Sequence, residues 1–278
     1  NPPILVHDTN GDIVRQEMVD GQLKTWRLRE DPREALLQTL AHTIKVSTKD
    51  NPIGRIVKGK IGNTTTTFFP DADVESTSVD GQLDIETATW AGSHDAAAGD
   101  AARPSGATLS TRARLLAGNY FISRNIVLFD TSSLPDTDSI DSATFSLAST
   151  GTATNNVDTS TVDVVSSSPA SNTDLVVGDF DQVGTTVFGD IAISAINATA
   201  DVYNDITLNA DGRNNISKTG VSKFGNRISR DTDNVAPTGD NSWDQRSAET
   251  AGTTSDPKLV VVHTAAAEVT LTPAATIA

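Results

Sequence analysis

The sequence predicts a mainly β protein, a sandwich or jelly roll preceded by a small α+β region. Three observations predict it. From Thr64 onward apolar residues come in short alternating bursts: Asn125 to Phe129, Ala143 to Leu147, Val162 to Val165, Ile191 to Ile196 and Leu259 to Val262. Turn clusters such as Ser132-Ser133-Leu134-Pro135-Asp136 and Asn209-Ala210-Asp211-Gly212 separate them. Before that point the texture differs, with tight-turn dipeptides first and then one apolar stripe at helical spacing.

The first region is read as a β-meander plus one helix. Ile4-Leu5-Val6-His7 is a short apolar run, and Asn10-Gly11 after it is a favoured centre for a type I′ hairpin turn. Ile13 to Val19 forms the returning strand. Asp20-Gly21 supplies a second turn, and Gln22 to Leu28 a third strand. Asp31-Pro32-Arg33-Glu34 then carries the signals of a helix start, with proline suited to the first helical position. Leu36, Leu37, Leu40 and Ile44 follow on one face. Residues 44–61 are basic and β-prone. Lys45, Lys49, Arg55, Lys58 and Lys60 alternate with apolar residues, which fits either an assembly contact for an acidic partner or a solvated edge strand guarded by lysine.

Charge marks the boundary. Residues 1–62 hold ten Lys/Arg against eight Asp/Glu, and the rest of the 278-residue chain holds eleven against twenty-eight. An acidic body from 63 to 264 thus follows a near-neutral N-terminal attachment region, 1–62. The net charge of −15 argues against a nucleic-acid binder. No run approaches the roughly 20 apolar residues of a membrane helix, so no membrane insertion is expected. With no cysteine there is neither a disulfide framework nor a thiolate metal site. The chain opens on Asn1 rather than Met, so a start that was removed or lies upstream is expected.

Within the body, threonine and serine suit the outer faces of strands. A short helix is expected at Asn197 to Asn204. Residues 265–278 read as an extended tail, pairing with a neighbouring subunit or serving as a linker.

Three segments carry a family resemblance. Arg124-Asn125-Ile126-Val127-Leu128-Phe129-Asp130 leads through Ser132-Ser133-Leu134-Pro135 into Ile140-Asp141-Ser142-Ala143-Thr144-Phe145-Ser146-Leu147. The last burst is Asp256-Pro257-Lys258-Leu259-Val260-Val261-Val262. Together they resemble the DNRLRE-type domain, a jelly-roll module related in architecture to carbohydrate-binding modules, over about residues 64–264. The resemblance implies a jelly-roll β-sandwich of secreted surface proteins or of phage structural proteins. In the Arg124 strand, Ile126 and Leu128 fall on one face and Val127 and Phe129 on the other, which predicts a central core strand.

The search for chemistry returns little. His7, His42, His94 and His263 form no ligand pair at metal-binding spacing. No Gly-x-Ser-x-Gly elbow or phosphate-cradling loop occurs. Glutamates are few and aspartates crowd into turns, where they solvate and cap loops. A non-enzymatic protein without an obligate cofactor is expected. Structural calcium is the one metal considered, at Asp71 and Asp73. The Asp8 to Asp12 run fails as a calcium loop because its twelfth position is Val19, not glutamate. For glycans, Trp243 in the polar run 240–246 is the first stacking platform and Trp90 the second. Two functions follow. One is a structural or display subunit of a virion or surface appendage, extracellular and partnered by copies of itself or other assembly proteins. The other is a glycan-binding module acting on cell-surface glycans.

Overall fold

The computed structural model describes residues 62–155 and 159–265 in full, with the backbone of three strands nearer the start. Those strands, β1 (Ile4–His7), β2 (Ile13–Val19) and β3 (Gln22–Arg27), pair antiparallel in the order β1-β2-β3. The helix expected over residues 31–44, the basic residues Lys45, Lys49, Arg55, Lys58 and Lys60, and the tail after 265 lie outside the described residues. By its contacts the chain divides into two units, Asn1–Lys60 with Ala267–Ala278, and Ile61–Ala266.

The second unit is a curled antiparallel sheet of twelve strands. Along its main path run β11 (Val183–Ala192), β10 (Thr161–Ser167), β13 (Val221–Ile228), β8 (Asn119–Asp130) and β7 (Thr108–Leu116). The path continues through β14 (Asp240–Arg246), β9 (Ser139–Asn155), β15 (Lys258–Thr264) and β4 (Asn63–Phe68). β12 (Tyr203–Thr207) pairs with β9, β5 (Asp80–Thr87) with β8, and β6 (Ala101–Arg103) with β5. β9 does the curling. Its first half pairs with β15 and β12, and its last residues pair with β14.

β8 is the central strand that its alternation predicts. Ile126 and Leu128 enter one core with Leu83, Ile85 and Phe180. Val127 and Phe129 enter the other, with Phe145, Phe224 and Trp243. In that second core Phe129, Phe145 and Phe188 surround Phe224 at centroid separations of 5.9–6.2 Å, edge-on or tilted, as ring quadrupoles favour. Between strands β7, β8, β13 and β14 lies a fully buried polar knot. Asn125, Asn226 and Gln245 each donate a side-chain N–H to the Thr111 hydroxyl, at 2.9, 2.6 and 3.1 Å. These bonds to Thr111 form in only one strand register, so they add specificity to a core that apolar packing alone would leave slippery.

Two local expectations are corrected. Residues 197–202 form no helix, because the Asn204 amide folds back to the Asn197 carbonyl at 3.1 Å and β12 begins at Tyr203. The Ile191 to Ile196 burst is strand only through Ala192. Ile193–Ala195 then tightens into a 3₁₀ turn, where Ile193 N–H bonds the Ser160 carbonyl and the side chain is buried. Three one-turn helices also occur: α1 (Trp90–His94), α2 (Ala210–Asn214) and α3 (Ser229–Thr232). A single turn has no periodicity to read. The caps are local all the same, with the Thr89 hydroxyl accepting from Gly92 N–H and Asn209 from Gly212 N–H.

The unit begins and finishes at one place. Asn63 stands opposite Thr264 in the β4–β15 pair, and the Thr264 hydroxyl donates to Asn63 Oδ1 at 2.9 Å.

Candidate functional site

A densely bonded polar centre is built where α3 folds back against its preceding strand. Asp231 on α3 is fully buried, four residues after Arg227 at the end of β13. Arg124 reaches it from β8. Arg124 donates Nε and Nη2 to the two Asp231 oxygens at 2.8 and 2.9 Å, and Arg227 donates Nε to Oδ2 at 2.7 Å. The remaining donors go to carbonyls: Arg124 to Phe180 and His94, and Arg227 to Val183, Gly184 and Asp231 itself. The Arg124 guanidinium also lies 4.0 Å from the centre of the Phe180 ring. Burial pushes the Asp231 carboxyl up, but the hydrogen bonds and charges of Arg124 and Arg227 outweigh it and leave it below the usual range. Burial lowers Arg124 in turn. With its donors already engaged, this trio clamps β8, β13 and the 180–184 segment together.

Above the clamp is an open cleft of about 340 Å³ lined by His94, Asp95, Arg124, Asp181, Gly184 and Arg227. His94 connects it to a small aromatic group. The Trp90 ring lies 5.4 Å from His94 and 5.8 Å from Tyr120, and its N–H bonds Asn234 Oδ1 at 2.8 Å. Trp90, His94 and Tyr120 are all half-buried, so the edge of the cleft presents aromatic surface to solvent.

The other site residues fare differently. Trp243, the first expected glycan platform, is fully buried inside the Phe129–Phe224 core, and its indole N–H donates to Ser149 Oγ at 3.0 Å. It cannot stack on a sugar. The polar neighbours that made it look exposed, Ser242 and Asp244, point to the opposite side of the same strand. Asp71 is occupied by its own loop. Its Oδ2 accepts from the N–H and hydroxyl of Ser76 and Thr77 at 2.6–3.0 Å and from Ser78 N–H at 3.3 Å. Asp71 is partly buried, and those bonds outweigh burial and leave its carboxyl below the usual range. Asp73 is exposed. The Asp71–Asp73 pair is therefore a loop brace, not a converging ligand pair. Among the described residues no three His, Cys, Asp or Glu side chains form a ready-made metal set.

One constellation was not anticipated. Asp138 Oδ2 meets His263 Nδ1 at 2.6 Å, and His263 Nε2 meets the Thr66 hydroxyl at 3.0 Å. Carboxylate, imidazole and hydroxyl stand in the order of a nucleophile-activating chain. Thr66 sits mid-strand in β4, opposite Val261, and none of the three lines the cleft above the clamp. In this setting the chain ties β4 and β15 to the loop before β9. Sequence separations of 125 and 197 residues hid it.

No helix among the described residues is long and apolar enough to cross a membrane. Compared with protein-family models and with curated proteins, the chain has no match.

Proposed function

We propose that this chain is a non-enzymatic structural and display protein, an extracellular subunit of a virion or of a surface appendage. In this reading the N-terminal region attaches and the β body projects. The supporting observation is the pairing of Asn63 with Thr264, which brings the two ends of the body to one pole. Both flanking segments then connect at that pole. The acidic, hydroxyl-rich surface of the body suits a particle exterior, because like charge keeps neighbouring bodies apart. The resemblance to DNRLRE-type jelly rolls points the same way. Its partners are copies of itself or other assembly proteins, and Lys45, Lys49, Arg55, Lys58 and Lys60 are its proposed contact residues.

Light scattering tests this. The full chain is expected to assemble at micromolar concentration, and residues 61–266 alone to remain monomeric. If the full chain is also monomeric, self-assembly through the first region is wrong.

A second reading, a glycan-binding module, has one observation in its favour: the half-buried Trp90 beside the His94 cleft. It predicts that Trp90→Ala abolishes glycan retention while leaving the fold intact. Equal retention by the variant removes this reading.

A further inference from the structure

At the start of β5 the protein buries negative charge with almost nothing to balance it. Asp80 is fully buried, and its carboxylate accepts only the Ala248 N–H, at 3.2 and 3.4 Å to its two oxygens. Glu249 follows immediately, in a turn closed by Thr250 N–H on the Ser247 carbonyl. Asp256, 3% exposed, stands two residues before β15. Glu75 comes from the loop braced by Asp71.

Much of the unmet hydrogen-bonding capacity among the described residues gathers here. Glu75 Oε1, Asp256 Oδ1 and the Ser78 hydroxyl are buried without a hydrogen bond, and Glu249 has no partner beyond the neighbouring Ser247 hydroxyl and its own N–H. Ser78 and Ser247 are themselves 0% exposed. The carboxylates raise one another. Burial and then Glu249 push Asp256 up to about 6, and burial followed by Glu249, Asp256 and Glu75 drives Asp80 well above its usual range. No Lys, Arg or His is among the principal influences on any of the four.

Other buried aspartates of the same protein are given partners. Asp231 has two arginines, Asp84 has Arg103 and Ser123, Asp138 has His263, and Asp179 has the N–H groups of Ala170 and Val176. Buried charge persists when it is paired or when it binds a metal, and here no protein cation does the pairing.

We propose that the buried Asp80 and the half-buried Glu249, with Asp256, Glu75 and the neutral oxygens of Ser78 and Ser247, bind one calcium ion. The donor set is oxygen only, which excludes the nitrogen and sulfur preferences of zinc and copper. Calcium accepts six to eight oxygens in loose geometry, and two of these carboxylates sit on loops able to adjust to it. No three carboxylates stand preassembled, so the loops that carry Glu75 and Glu249 close on the ion as it binds. Bound there, the ion clips the loop before β5 to the loop before β15.

The test is thermal unfolding of the full chain after chelator stripping, with and without millimolar Ca²⁺. Wild type is expected to gain about 5–10 °C once calcium is some hundredfold above its dissociation constant. Glu249→Gln is expected to lose that gain. In chelator it is expected to melt at or above wild type, because one of the repelling charges is gone. Asp136→Asn, a change at an exposed loop carboxylate, keeps the full gain. Calorimetry on stripped wild type reads the stoichiometry directly, one ion per chain, whether or not the variant folds. No shift and no binding heat overturns the proposal. So does an equal shift in Glu249→Gln, which is screening of the acidic surface.

Discussion

Replacing Asp231 with asparagine is expected to destabilise the β body by about 3–5 kcal/mol, a large part of the stability of an ordinary domain. Among the described residues the carboxylate is the only anion bonded to both Arg124 and Arg227, whose side chains are each 3% exposed. Without it two guanidiniums face each other out of water. Asparagine keeps the shape and offers one acceptor in place of a charged bidentate one. For a unit of this size the melting temperature should fall by roughly 10 °C or more.

Acid gives the second reading of the same residue. The Asp231 carboxyl is held below its unfolded value, so its contribution is present above the ordinary carboxylate range. It is lost only as pH falls through that lowered value. Wild type and variant should therefore differ most near neutrality and converge below about pH 4. A gap that stays constant with pH would mean the aspartate acts through shape alone.

Truncating Trp243 to alanine is the other large change expected. The indole is fully buried between the β7–β14 pair and the phenylalanine core, and large-to-small changes of this kind cost about 3–5 kcal/mol. The loss also touches Ser149. Its hydroxyl takes the indole N–H, accepts from Asn204 at 3.1 Å and donates to the Asn197 carbonyl at 2.7 Å, so the 197–204 turn loosens with it. Denaturant titration should show a lower midpoint with an unchanged slope. An unshifted midpoint would contradict the burial. Any glycan lost by this variant would be lost through unfolding, which is why Trp90 and not Trp243 is the residue to change in a binding test.

What the sequence disclosed was set by the range over which each feature is written. The β8 strand was legible because Ile126 to Phe129 is apolar on both faces, and only a strand covered on both sides tolerates that. Trp243 was misjudged for a related reason. β14 carries polar residues on its buried positions too: Gln245, which joins the hydrogen-bonded knot, and Asn241, whose side-chain amide makes no hydrogen bond. A polar run in sequence thus looked like a surface. Asp71 was misjudged through its neighbour Asp73. The serines and threonine at 76 to 78 were the better signal, since short hydroxyl residues downstream of an aspartate brace a turn. Arg227 and Asp231 are only four residues apart, but the Arg124 arm of the clamp and the Asp138–His263–Thr66 chain join residues more than a hundred positions apart, and nothing local announces those.

The adjacency of Asn63 and Thr264 also fixes how the body answers a pulling force. Because β4 and β15 are antiparallel and their free ends coincide, tension drawn through both flanking segments acts across the ladder and not along it. The bonds are loaded one after another, beginning with the Thr264–Asn63 contact, and do not share the load. β15 keeps β9 on its other side, so β4 is the strand that peels. The peeling meets the His263–Thr66 bond first and then Phe68, the residue that anchors β4 in the core. The body is thus a soft mechanical element at its joined ends, with a stop built in five residues from where the strand begins.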